Sequence, residues 1–299
     1  MFKEYVINYG HRFQYPDEAI EALAKVAHSI EADETMRTAF ADAYTRYCSS
    51  PNIHVIREVF AAIKEKAATF NEPQESVLLL LFIAFSHPLE AMYQDKNLPQ
   101  RYFEGAMADL RAKLYECHKV RHIWGSSVAD WFMEFFSLDR FAIGRLQYNF
   151  VTMPACSTID GKYTFNGGEK ALTIHIPSTG PLLYDDIEDS LKEAAAFYAD
   201  EFEGDRVLFT CSTWLLYSAH EEMLPENSNI RRFREHFSMC PDQPDPRHLD
   251  LWRIFGTEQV DDISALPRTT GLQKAYAAWL EQGKPIGRAR GVRYINKSK

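Results

Sequence analysis

Four consecutive pieces decide the fold: Leu172-Thr-Ile-His-Ile-Pro177, Ser178-Thr-Gly-Pro-Leu-Leu-Tyr184, the run Asp185–Phe202, and Asp205-Arg-Val-Leu-Phe209. The first alternates and reads as a strand. The second carries a glycine and a proline and reads as a loop. The third has apolar residues at helical spacing, and the fourth is a short apolar strand. A strand, a crossover helix and a second strand make a right-handed parallel unit, and the loop after the first strand is where such units hold ligands.

On either side of this unit the chain changes grammar. From about Pro16 to His122 it reads as all-helical, with five segments (19–32, 35–48, 53–70, 75–94 and 102–122) repeating apolar residues at i, i+3, i+4 and i+7. Cys48-Ser-Ser-Pro51 and Asn71-Glu-Pro73 suit connections. After Trp124-Gly125 one more helix, 126–138, leads into strand-like text. Residues 141–151 alternate, with Arg145, Gln147 and Asn149 on one face and Leu146, Tyr148 and Phe150 on the other. Asp160-Gly161 before Lys162-Tyr-Thr-Phe165, and Asn166-Gly-Gly168 before Leu172, are hairpin signals. Together they predict a meander of three antiparallel strands. Helical text at 218–237, a strand at 248–255, a helix at 271–282 and a final strand at 287–295 complete the pattern. The expected organisation is α+β: an all-helical N-terminal domain, 1–125, and a mixed-sheet α/β domain, 126–299.

Composition narrows the function. The chain has 299 residues, 46% apolar and 25% charged, with a net charge of −9. That is an ordinary folded protein, and its acidity argues against nucleic acid or an anionic membrane as partner. The basic end (Lys284, Arg288, Arg290, Arg293, Lys297, Lys299) is a solvated tail, a neighbour of an acidic patch in the same protein, or an anion site. Five scattered cysteines with no CxxC spacing fit a reducing cytoplasm. No metal is expected: the chain lacks HExxH and any Cys/His cluster. It also lacks GxGxxG and GxxxxGK[ST], which sets nucleotide-dependent chemistry aside. The first residues have no apolar core of a signal peptide, and the apolar run Val77–Phe85 reads as a buried helix segment.

Gly144-Arg-Leu-Gln-Tyr148, Leu172-Thr-Ile-His-Ile-Pro177 with Gly180-Pro-Leu182, Ser212-Thr-Trp-Leu-Leu216, and Leu224-Pro225 with Ser228-Asn-Ile230 and Arg232-Phe233 resemble the C-terminal domain of a bacterial acyltransferase-like family. In that family a GNAT-like (Gcn5-related N-acetyltransferase) domain follows a helical one. The resemblance implies an acyl-CoA-dependent N-acyltransferase. The expected co-substrate is acetyl-CoA or another acyl-CoA, and the expected acceptor is an amine on a small molecule, attacked directly in a ternary complex. Acyl-CoA would lie where the sheet splays, its pyrophosphate on the loop Ser178, Thr179, Gly180 and Leu182, with Thr213 and Trp214 ending the facing strand. A homodimer is compatible with the pattern.

The residues themselves allow two readings at each of these positions. Pro181 removes one N–H donor from the loop, and Asp185, Asp186 and Glu188 in the helix's first turn favour an ordinary helix start over an anion cradle. His175 is a general base or a core histidine bonded to a neighbour. Ser212 is a proton donor to the leaving thiolate, or a clamp on the acyl carbonyl. Cys211 reads as inert packing, and Tyr217 as a weak candidate for a phenolic acid. Arg145 and Gln147 bind a substrate carboxylate or phosphate, or make inter-domain bonds. The alternative to an enzyme is a non-catalytic, GNAT-shaped module that binds a metabolite or a protein.

Overall fold

The computed structural model describes residues 2–246, 250–257 and 262–297. They form two units, Met1–Ala142 and Ile143–Lys299.

The first unit is helical: α1 (Phe2–Arg12), α2 (Asp17–Ala32), α3 (Glu34–Ser49), α4 (Ile53–Ala67), α5 (Gln74–Asp95), α6 (Gln100–Arg121) and the single turn α7 (Met133–Phe136). Local chemistry sets the starts. Asp33 Oδ1 accepts from Met36 N at 2.8 Å to open α3, and Asn52 Oδ1 accepts from His54 N and Val55 N to open α4. Helix α5 is apolar enough to cross a membrane by composition, yet it is the core of this unit, with Leu79 to Ile83 wholly buried. Helix α1 was not expected: Gly10 lies so close to Ile20 that an added Cβ would sit 2.6 Å from Cγ1. The segment 126–142, assigned to the second domain from sequence, packs in this unit instead. Phe132 and Phe136 lie against Phe82 at 5.5 and 4.9 Å between ring centroids, and the Tyr47 hydroxyl donates to Phe136 O at 2.9 Å. Its strand β1 (Arg140–Ile143) runs into the second unit.

The second unit is a mixed sheet. Its strands are β2 (Leu146–Thr152), β3 (Cys156–Ser157), β4 (Thr164–Phe165), β5 (Lys170–His175), β6 (Arg206–Thr213), β7 (Ser238–Met239), β8 (Gln243–Pro244) and β9 (Gly287–Asn296). The spatial order is β2-β5-β6-β9-β7. The crossover is helix α8 (Tyr184–Phe197); α9 (His220–Met223), α10 (Asn229–Arg234), α11 (Leu251–Phe255) and α12 (Gly271–Glu281) follow. Helix α8 docks through Ser190, which donates to Ile143 O at 2.5 Å and bonds Leu146 N and Tyr148 Oη. Gly144, at φ 60°, turns the chain from β1 into β2 right beneath Ser190.

Three expectations are corrected. Residues 141–151 are two strands broken at Gly144-Arg145, not one. β4 is not the middle strand of a meander: β2 pairs directly with β5, and β4 pairs with β3 in a separate two-stranded ribbon. Residues 251–255 are helical, because Gly256 at φ 74° supplies a left-handed C-cap and Gln273 Nε2 donates to Ile254 O. The rest of that predicted strand, at 248–249, lies outside the described residues.

Candidate active site

β5 is paired with β2 along its whole length, and β6 with β9 along its whole length. Between β5 and β6 the parallel register has only two partners, Leu172↔Phe209 and Thr173↔Thr210. Beyond them the ladder ends, with no further β5–β6 pair among the described residues, and this gap in pairing is the splay. Each edge of the resulting splay carries backbone groups and side chains that no strand partner covers.

Directly opposed residues share a face of the sheet. One face therefore collects Gln147, Asn149, Thr173 and His175 from β2 and β5, and Thr210, Ser212 and Arg290 from β6 and β9. His175 and Ser212 each lie two residues beyond the Thr173↔Thr210 pair, so they occupy matching positions on the two sides of the splay. The opposite face carries Tyr148, Phe209 and Cys211 and packs on α8.

His175 Nε2 lies 2.6 Å from Asn149 Oδ1, and it donates to that oxygen when Nε2 carries the proton. Ser212 is exposed. Gln147, predicted to bind substrate, is almost wholly buried, and its Nε2 has no partner among the described residues. Arg290 donates to Thr210 Oγ1 at 3.1 Å.

The loop Ser178–Leu183 leaves the C-terminal end of β5. Thr179 and Gly180 are exposed, and no Cβ at Gly180 would meet anything within 4 Å. Arg145 sets the course of this loop. It donates from Nε to Pro181 O at 2.8 Å and from Nη2 to Gly180 O at 2.5 Å. These bonds lie within one unit. Its Nη1 is buried and has no partner among the described residues. Leu183 at the N-cap of α8 offers no side-chain acceptor. The N–H groups of Thr179, Gly180 and Leu182 likewise donate to nothing among the described residues. Free N–H groups just before a fourteen-residue helix are the kind of donor an anion uses.

The acids of that helix are partly neutralised within the fold. Glu188 accepts a two-pronged bond from Arg293, with Nη2 to Oε2 at 2.9 Å, and a bond from His236 Nδ1 at 2.6 Å. Burial alone would raise the Glu188 pKa, but Arg293 and His236 outweigh it and hold the carboxyl below its ordinary range. His236 is buried beneath Tyr184, their rings stacked at 4.1 Å, and burial lowers its pKa. Sequence reasoning missed His236; nothing but distance in the chain hid it.

Cys211 lies on the α8 face and is buried, which raises its pKa to about 12, so it stays a thiol. Thr213 caps the short turn that follows β6 by accepting from Leu215 N, and Trp214 lines a small cavity with Leu251, Ile254 and Tyr276. The Tyr217 hydroxyl donates to Pro285 O at 3.3 Å. The basic end is consumed internally: Lys284 pairs with Glu222, Arg288 with Asp250 and Arg293 with Glu188, and Lys297 donates to Phe202 O. Lys299 lies outside the described residues. The described residues hold no cluster of metal-ligating side chains.

A model of the GNAT-like C-terminal domain matches residues 141–293, just over half the chain. The chain belongs to this family. A model of the N-acyltransferase N-terminal domain matches residues 8–138. Among solved structures, an acyltransferase mutant in complex with octanoyl-CoA has a TM-score of 0.68 and 18% identity, covering 97% of this chain and 87% of its own. An acyltransferase in complex with decanoyl-CoA and teicoplanin has a TM-score of 0.67 and 18% identity, covering 96% and 87%. A third, with decanoyl-CoA, has a TM-score of 0.62 and 18% identity, covering 98% and 99%. No curated protein matches the chain. By its family models this GNAT-like protein is an acyltransferase, and the solved structures share its fold.

Proposed function

We propose that the protein transfers an acyl group from acyl-CoA to an amine of a small molecule by direct attack in a ternary complex. The observation that carries this reading is the end of the β5–β6 ladder after two paired positions, with His175 and Ser212 at matching places beyond it. A thioester is already activated, so positioning and one or two hydrogen bonds supply much of what the reaction needs.

In the proposed reaction the thioester lies in the splay and its pyrophosphate meets the N–H groups at Thr179, Gly180 and Leu182. His175, held by Asn149, takes the ammonium proton on its imidazole ring. The free amine then attacks the carbonyl carbon. As the tetrahedral intermediate collapses, the carbon–sulfur bond breaks, Ser212 donates its proton to the departing thiolate and regains one from the protonated nitrogen of the intermediate, leaving a neutral amide and a thiol. The octanoyl- and decanoyl-CoA in the solved structures extend the candidate donors from acetyl to medium chains.

Isothermal titration of the purified protein with acetyl-, octanoyl- and decanoyl-CoA tests the reading. Binding of at least one of them in the micromolar range is expected. Absence of heat at millimolar concentration of all three would sink it. With an acceptor in hand, His175→Ala should lower kcat by roughly 100- to 10,000-fold, as loss of a general base does.

A further inference from the structure

Two cysteines far apart in the chain meet in the second unit. Cys156 lies on β3 and Cys240 follows β7, and their sulfur atoms are 2.9 Å apart. Non-bonded heavy atoms rest at roughly 3.5–4 Å, and a disulfide spans about 2.05 Å. The pair is therefore closer than two packed thiols, and a small movement separates it from a bond.

The surroundings fix this approach. Cys240 belongs to an apolar cluster with Met153, Phe165, Ala171, Leu208 and Val292, and Cys156 packs on its margin. The ribbon carrying Cys156 is fastened to β7 by Ile159 N donating to Met239 O at 2.7 Å. Cys240 N in turn donates to Arg290 O on β9 at 2.8 Å. Both backbones are thus bonded next to the sulfurs.

We propose that Cys156 and Cys240 form a redox-modification site, converted to an intramolecular disulfide by a low-molecular-weight disulfide of the glutathione class. The thiolate of Cys156, the more accessible of the two, attacks one sulfur of the small disulfide and releases one small thiol. The thiolate of Cys240 then attacks Cys156 Sγ of the mixed disulfide and releases the second. Two protein thiols are oxidised and one small disulfide is reduced to two thiols. The order follows from the structure: Cys240 is buried and its S–H donates to Cys156 Sγ, which favours Cys156 as the first thiolate. The bond would close a loop of 84 residues and clip the β3–β4 ribbon to the edge of the sheet.

The test is to incubate the full chain with oxidised glutathione, quench with acid, denature without reductant and count alkylatable thiols. The five thiols should fall to three, and peptide mapping should find Cys156 joined to Cys240. Cys156→Ser and Cys240→Ser should each remove that crosslink. Retention of all five thiols, modification of the exposed Cys48 alone, or a crosslink between other cysteines would overturn the proposal. The wild-type map decides the matter even where a variant fails to fold.

Discussion

Replacing Arg145 by alanine should release the loop after β5 and weaken acyl-CoA binding. The side chain makes two hydrogen bonds from a charged group to the carbonyls of Gly180 and Pro181. A bond to a charged group is worth about 1.5–3 kcal/mol net, and Arg145 is only partly buried, so the lower end applies to each. Together they hold the loop in place with about 3 kcal/mol. Without them the loop must be ordered when the pyrophosphate binds, and the cost appears in Kd. At about 1.4 kcal/mol per tenfold, the expected weakening is on the order of 100-fold. Lysine keeps the charge but not the planar fork, so Arg145→Lys should recover about one bond and lose on the order of 10-fold. Calorimetry with decanoyl-CoA measures both variants, and circular dichroism confirms that the sheet is intact. A Kd for Arg145→Ala within twofold of wild type, in a folded protein, would refute this account of the loop.

Glu188 has a lowered pKa in the fold, so its stabilisation is present above the unfolded value near 4.3 and is lost as pH falls through the folded one. His236 is also lowered, so its contribution starts to fade below about 6.5; urea midpoints should drop in two stages on acidification, and Glu188→Gln should remove the second. Cys211 should resist alkylation in the native protein near neutral pH, and Cys211→Ala should leave transfer activity within about twofold, since a thiol pushed up to about 12 is no nucleophile there. Tyr47→Phe should cost about 1 kcal/mol by stranding Phe136 O in the helical core, read as a Tm lower by a few degrees.

The parts of this fold that were legible in the sequence are those governed by local periodicity. Helices α2 to α6, the crossover α8 and strands β5, β6 and β9 all repeat apolar residues at their own period. The errors fall where a local signal leaves a global choice open. Asp160-Gly161 and Asn166-Gly167-Gly168 say that the chain turns, but not that β4 will pair with β3 instead of β5. Residues 251–255 form an apolar run too short for periodicity to separate helix from strand, and a single glycine C-cap decides it. His175 and Ser212 could be proposed because each sits in a strand whose end is visible in the text. The contact of His236 and Arg293 with Glu188 spans 48 and 105 residues and has no local signature.

That unseen contact changes the meaning of the stretch from Leu172 to Leu208. Read alone, Asp185, Asp186 and Glu188 at the start of α8 oppose an anion at the loop. In the fold, Glu188 is turned to Arg293 and His236, and Asp186 lies in the field of Arg145. The loop's N–H groups therefore precede a helix start where Glu188 and Asp186 each have an arginine beside them, Arg293 from β9 and Arg145 from the turn before β2, while His236 adds a hydrogen bond. A neutralised Glu188 also makes a separable claim: Arg293→Gln should weaken acyl-CoA binding although Arg293 lies on β9, away from the loop, because it would return a negative charge to the first turns of α8. If Arg293→Gln leaves Kd unchanged while Arg145→Ala raises it, then local N–H geometry, and not charge balance, makes this helix end fit for a pyrophosphate.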